Sequence, residues 1–181
     1  MAQTVPRPTD RLLLRNWQID DLDAFAEMNA DPVVMATIGP VMTRSESEAM
    51  LTRIGRHFEE HGFGLWCVVR DGEPVGFCGL MVPWFMDGVE IGWRLRSASW
   101  GQGFATEAAR SVLAYAFDDL GLDEVVSFTA AINDRSQRVM GRIGLERDHD
   151  ADFDHPAIAE SNPLREHVLY RMDSARYRSR S

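Results

Sequence analysis

Apolar and polar positions along the chain switch between strand-like and helix-like spacing, and each switch marks an element. Arg11-Leu12-Leu13-Leu14-Arg15 is a short apolar run bounded by charge, which predicts a strand; Asp20 to Met28 follows with helical spacing and acids in its first turn. Thr43-Arg44-Ser45-Glu46 has the Thr-x-x-Glu form of a reciprocal cap, and Met50, Leu51, Ile54 and Phe58 continue it at helical intervals toward Gly62. Gly64 to Arg70 and Val75 to Val82 flank an Asp71-Gly72 turn and predict a hairpin, with Val89 to Leu95 as the third strand of a meander. From Ala105 the apolar positions Ala108, Ala109, Val112, Leu113, Ala116, Phe117 and Leu120 form one helical stripe that Gly121 ends. Val125 to Thr129 reads as a strand, Ser136 to Ile143 as a short helix closed by Gly144, and His167 to Met172 as a last strand. The pattern predicts a mixed α/β sheet in one domain over residues 10–173, with a loose lead-in at 1–9 and a tail at 174–181.

With 181 residues, 45% of them hydrophobic and 26% charged, the chain has enough apolar surface for one core. The net charge of -9 argues against nucleic acid as a partner and mildly favours cationic ligands such as amines. Residues 1–9 have neither a signal-peptide pattern nor a membrane anchor, so no membrane association is expected. Cys67 and Cys78 lie in apolar strand-like runs without metal-site spacing, which predicts buried free thiols and suits a cytoplasmic location.

Candidate chemistry concentrates in Ser99-Trp100-Gly101-Gln102-Gly103-Phe104-Ala105-Thr106-Glu107, between a predicted strand and the start of the apolar-striped helix. Small residues let a ligand approach the backbone, and free N–H groups at a helix start, aided by the dipole, suit a pyrophosphate. The amides of Gly101, Gly103 and Ala105 are the ligand candidates. A tight strand-to-helix connection that binds nothing would carry the same glycines. The stretch lacks the Gly-Lys-Ser/Thr ending of a P-loop, and hairpins upstream replace the βαβ unit of a dinucleotide site.

Trp-Gly-Gln-Gly-Phe-Ala-Thr-Glu-Ala at 100–108 resembles motif A of the GNAT superfamily of N-acetyltransferases, and especially its RimJ/RimL-type branch. Trp100 stands where the superfamily usually has Gln or Arg, and the branch commonly has an aromatic there. The likeness continues in family order through Arg11 to Arg15, Val75 to Gly79, Glu90 to Leu95, Asn133 to Ser136 and Ile143 to Leu145. It implies the GNAT fold: a mixed, mostly antiparallel sheet of about seven strands, splayed between the fourth and fifth, with about four helices. It also implies acetyl-CoA as cosubstrate. Backbone of Trp93, Arg94 and Leu95 would pair with the pantetheine arm, and Trp100, Gly101, Gln102, Gly103, Phe104, Ala105 and Thr106 would hold the phosphates.

The implied reaction is direct attack of a neutral amine on the thioester, which needs a proton acceptor, an oxyanion donor and a group to meet the leaving thiolate. Glu90 is the acid of its strand, and alternation places it with Gly92 and Arg94 on one face, opposite Ile91, Trp93 and Leu95. It is the candidate general base, acting through a water, unless it is a plain solvent-facing glutamate. Asn133 and Ser136, three apart at a helix start, suit an N-cap. By resemblance, Asn133 would meet the pantetheine or a water, and Ser136 would serve the departing thiolate and act as the acid.

Asp148 to Pro156 is rich in metal-ligand types, but its spacing fits neither an EF-hand nor a zinc site, so no metal is expected. By position it resembles the loop bordering the acceptor site, where its acids would attract a cationic substrate. Trp84-Phe85-Met86 near a turn would line the acceptor cleft or a dimer contact. The expected acceptor is a protein N-terminus or a small-molecule amine, and the chain a monomer or homodimer. A CoA-binding sensor without catalysis and a longer acyl donor are the alternatives.

Overall fold

The computed structural model describes residues 5–180. Strand β1 (Leu13–Arg15) leads through a short turn of helix to α1 (Leu22–Ala30), α2 (Pro32–Met35) and α3 (Arg44–His61). Asp31 caps α2 by accepting from Val33 N, and the Thr43/Glu46 capping box opens α3, which ends at Gly62 in the left-handed region (φ 78°). The meander follows as β2 (Leu65–Arg70), β3 (Glu73–Met81) and β4 (Glu90–Leu95). Its first turn places both Asp71 (φ 51°) and Gly72 (φ 87°) at positive φ, as a two-residue hairpin requires. Then come α4 (Phe104–Ala114), β5 (Glu124–Ala130), α5 (Asp134–Ile143), the two-residue strands β6 (Glu146–Arg147) and β7 (Phe153–Asp154), β8 (Glu166–Asp173) and α6 (Ser174–Arg180).

The sheet order is β1-β2-β3-β4-β5-β8-β6, with β7 also on β8. All pairs are antiparallel except β4 with β5, which run parallel and meet in register only at Glu90 and Val126. Val126 N donates to Val89 O (2.9 Å) and Ser127 Oγ donates to Ile91 O (2.8 Å); beyond them the strands part. The edge of β4 from Gly92 onward therefore faces a gap. Ile91 and Leu95 lie in the core with Phe104, Ala108 and Val112 of α4, a helix whose continuous apolar stripe matches its burial.

Four features depart from the sequence reading. The sheet has eight strands because two-residue β6 and β7 are too short to carry a pattern, and α2 and α6 add two helices. The long helix does not run regularly to Gly121: it widens into a π turn at Tyr115–Asp119, with Leu120 N bonded to Tyr115 O. Residues 174–180, read as a tail, are helical, with Tyr177 stacked on Phe117 at 4.7 Å. Of the lead-in, Met1 to Thr4 lie outside the described residues. The rest is anchored: Thr9 Oγ1 donates to Glu107 (2.5 Å) and Arg7 O accepts from Ser111 Oγ (2.6 Å).

Cys67 and Cys78 are buried and free, and burial pushes the Cys67 thiol up to about 12 and the Cys78 thiol up as well. No helix among the described residues is long and apolar enough to cross a membrane.

Candidate active site

Two adjoining cavities open at the splayed strands. The first, about 560 Å³, has a floor of β4 backbone at Trp93 to Leu95 and a wall formed by the loop into α4. Gly101 (φ 76°) and Gly103 (φ 83°) hold that loop in the left-handed region, and a Cβ at Gly101 would meet nothing within 4 Å. From Gly101 to Thr106 no amide N–H has a protein acceptor among the described residues; the next, Glu107 N, returns to Gly103 O (3.0 Å). A run of free amides ending on a helix N-terminus is an anion cradle. The loop is braced from behind: Arg11 pairs with Glu107 (2.5 Å) and donates to Gln102 O (3.1 Å), while Arg11 and Arg70 each stand 4.7 Å over the Phe104 ring.

Of the residues assigned to the cosubstrate, Trp93, Arg94, Leu95, Trp100, Gly101, Gly103, Phe104, Ala105, Thr106, Asn133 and Ser136 line this cavity. Gln102 does not: its side chain turns back to Arg70 (2.8 Å) and Ala98 O (3.3 Å). Trp100 anchors the loop by donating from Nε1 to Leu95 O (2.9 Å), and Arg135 stacks on its ring at 4.3 Å. Sequence reasoning missed the cations here. Arg135, Arg138 and Arg142 of α5 all line the cavity, and their i, i+3, i+7 spacing, visible in the sequence, puts them on one helix face.

The second cavity, about 400 Å³, adjoins the first at the gap. It shares Thr37, Ile38, Trp93, Arg94, Asn133 and Ser136 with the first and adds Glu90 and Gly92. Glu90 is half-buried, its remaining surface turned to this cavity, and burial lifts its carboxyl to about 8. Asn133 caps α5 through Oδ1, which accepts from Ser136 N (3.3 Å), and its amide donates to Thr129 Oγ1 (2.9 Å) and Ser136 Oγ (3.2 Å). Both amide protons of Asn133 are thus taken, and the Ser136 hydroxyl, accepting there, keeps its own proton to donate.

Beyond Ser136 the cavity wall is aromatic. His155 and His167 stand 5.0 Å apart; Phe128 lies 6.1 Å from His167, and Phe85 4.7 Å from His155. His167 Nδ1 faces Arg165 O (3.1 Å), which can only accept, so the proton sits on Nδ1; His155 Nδ1 accepts from Ala157 N (3.2 Å), so its proton sits on Nε2. Burial lowers the pKa of both. The 148–156 loop was expected at the acceptor site for its acids, and the structure brings its His155 there instead; His167 was not recognised, because β8 is brought near β4 only by the sheet order.

Three acids of the 148–154 loop are committed to arginines, and the fourth, Asp150, is exposed. Asp148 pairs with Arg171 (2.9 Å), Asp152 with Arg147 (2.5 Å) and Asp154 with Arg165 (2.9 Å), and none lines the cavity. No group of three or more His, Cys, Asp or Glu among the described residues is arranged to hold a metal ion.

A splayed β4/β5 pair with a free-amide loop after β4 is the arrangement that the sequence resemblance anticipates, and a family model described as an acetyltransferase (GNAT) domain matches residues 11–146. The chain belongs to this family. Among its relatives, YkkB of Bacillus subtilis is 30% identical over 143 residues, 76% of this chain and 83% of that protein. The FsC-acetyl coenzyme A-N(2)-transacetylase of Aspergillus fumigatus is 35% identical over 130 residues, and the match spans 55% of that longer protein. The GNAT fold is shared with an acetyltransferase from Agrobacterium tumefaciens, at a TM-score of 0.77 and 26% identity over 95% of this chain and 96% of that one.

Proposed function

We propose that the chain is an N-acetyltransferase that moves acetyl from acetyl-CoA to a primary amine by direct attack, its catalytic unit spanning residues 10–173. The observation that carries this reading is the shared wall: two cavities meet at Thr37, Ile38, Trp93, Arg94, Asn133 and Ser136, with Glu90 lining the second alone. The first cavity fits the cosubstrate: free amides and the arginines of α5 suit its phosphates, and the open edge of β4 suits its pantetheine arm. Acetyl-CoA, when bound, supplies the activated acetyl as a thioester.

The residues divide the remaining work. Glu90, as carboxylate, takes a proton from the acceptor amine through a water, so that nitrogen presents its lone pair. Ser136 donates its hydroxyl proton in a hydrogen bond to the departing sulfur, and Asn133 is a positioning residue that holds Ser136. The motif at 100–108 supports a place near the RimJ/RimL-type branch.

Titration of acetyl-CoA into the protein, followed by thiol release across a panel of amines, tests the reading. Binding with amine-dependent release supports it. Binding without release for any amine would make the chain a CoA sensor, and no binding would remove the basis of the proposal.

A further inference from the structure

The most buried arginine of the site has no carboxylate partner among the described residues. Arg11, Arg15, Arg96, Arg147, Arg165, Arg171 and Arg176 all pair with carboxylates. Arg94 does not: among the described residues Nη1 donates to the amide oxygen of Asn29 (2.6 Å), Nε is buried without a partner, and the guanidinium lies 5.3 Å from the Phe77 ring. Burial draws its pKa down to about 10. A desolvated guanidinium with one neutral acceptor is costly unless something else completes it.

Its surroundings say what would. Arg94 and Glu90 are the formally charged residues that line the second cavity, and they share a strand face with Gly92 between them. A Cβ at Gly92 would lie 3.5 Å from Glu90 Oε1, so the missing side chain leaves a bay with a carboxyl at one end and a guanidinium at the other. That bay complements a molecule with an amine toward Glu90 and an anion toward Arg94. Phe128, Met50, Met81 and Ile158, with neutral His155 and His167, give the lining an apolar and aromatic stretch beside the polar Thr129, Asn133 and Ser136.

We propose that Arg94 anchors a carboxylate of the acceptor, and that the acceptor class is an α-amino acid with an apolar or aromatic side chain. This rests on the acetyltransferase reading and names its substrate class. A planar guanidinium takes a carboxylate through paired hydrogen bonds, so an amine without the carboxylate loses those bonds and leaves the cation unmet.

The test compares kcat/KM, at saturating acetyl-CoA, for phenylalanine, phenylalanine amide and phenethylamine, and for leucine against isoamylamine. The expected preference for each free acid is about 100-fold, as for loss of a charge-assisted contact. Arg94→Gln should bring the ratio close to one, and Arg94→Lys should keep part of it. Equal or better use of the amide or of the decarboxylated amines overturns the proposal, and the wild-type ratios decide this whether or not the variants fold. Titration of phenylalanine and phenethylamine into CoA-saturated protein reads the anchor without turnover. Binding of the acid alone upholds the anchor even if the acetyltransferase reading fails, whereas equal binding of both, or of neither, overturns it.

Discussion

The two cavities meet at one wall but are made of different materials. The first is a main-chain site: its polar groups are amides from Gly101 to Thr106 and the open edge of β4, with the arginines of α5 beside them. The second is a side-chain site, in which Glu90 and Arg94 face a cavity of apolar residues and rings without pairing to each other. A main-chain site requires small residues in the right backbone region and tolerates changes elsewhere. A side-chain site depends on each group's identity, which is where substrate choice resides.

The largest expected effect separates the halves by blocking the first. Gly101→Glu, whose Cβ would meet nothing within 4 Å, brings an anion to the amide cradle and should weaken CoA binding by at least about 100-fold, since like-charge juxtaposition costs several kcal/mol. Gly101 also holds φ 76°, and the left-handed conformation costs a non-glycine residue roughly 1–2 kcal/mol. Gly101→Ala carries that strain without the charge, so titration of CoA into both variants isolates the anion. Equal losses would mean that the loop shape, and not free amides, makes the site.

The contrast in materials also decides what was legible in the sequence. The amide cradle is contiguous, so glycine spacing before an apolar helical stripe located it, and the caps at Thr43 and Asn133 did the same for α3 and α5. The second cavity draws Glu90 from β4, Ser136 from α5, His167 from β8 and His155 from the loop before it. Alternation along one strand put Glu90 and Arg94 on one face, but no local pattern could bring β8 beside β5, or reveal that Arg94 would be desolvated without a carboxylate partner. The π turn at Tyr115–Asp119 was hidden for a related reason: one extra residue in a turn leaves the apolar stripe unbroken.

The next effect sharpens the second half. Glu90→Gln should lower kcat by about 10²–10³, the usual scale for losing a general base, while acetyl-CoA affinity stays within about twofold. Wild-type kcat/KM should rise with pH and level off above about 8 as Glu90 ionises, and that limb should vanish in the variant. Stability runs the other way. The folded-state pKa lies above the ordinary glutamate value of 4.5, so the folded chain holds the extra proton between there and about 8. Wild type should lose stability as pH rises through that window, and thermal melts of Glu90→Gln should not. A flat wild-type profile in both measurements would mean that Glu90 is ionised throughout, and an unchanged kcat in Glu90→Gln would exclude it from proton transfer.

Ser136→Ala should have a smaller effect, about tenfold in kcat, because a thiol of pKa near 8.5 is already a competent leaving group and needs modest help. Steady-state rates with acetyl-CoA measure this, and a loss as large as that of Glu90→Gln would assign Ser136 to the rate-limiting proton transfer.

The smallest effect concerns charges that lie outside both cavities. Asp154 pairs with Arg165 at 2.9 Å on an exposed stretch and does not line the second cavity. Exposed pairs are worth roughly 0–1 kcal/mol, and their field is screened within about 10 Å at ordinary salt. Asp154→Asn should therefore change kcat/KM less than twofold for any acceptor and lower the melting temperature slightly. An acid-rich loop near a cleft suggests attraction of a cationic substrate, but an acid already beside an arginine has little field to spare. Glu90 and Arg94, the charges that line the second cavity, have no charged partner among the described residues. If Asp154→Asn instead raised KM for neutral-bodied and cationic amines by different factors, the loop would belong to the acceptor site, and the division between paired and unpaired charge would fail there.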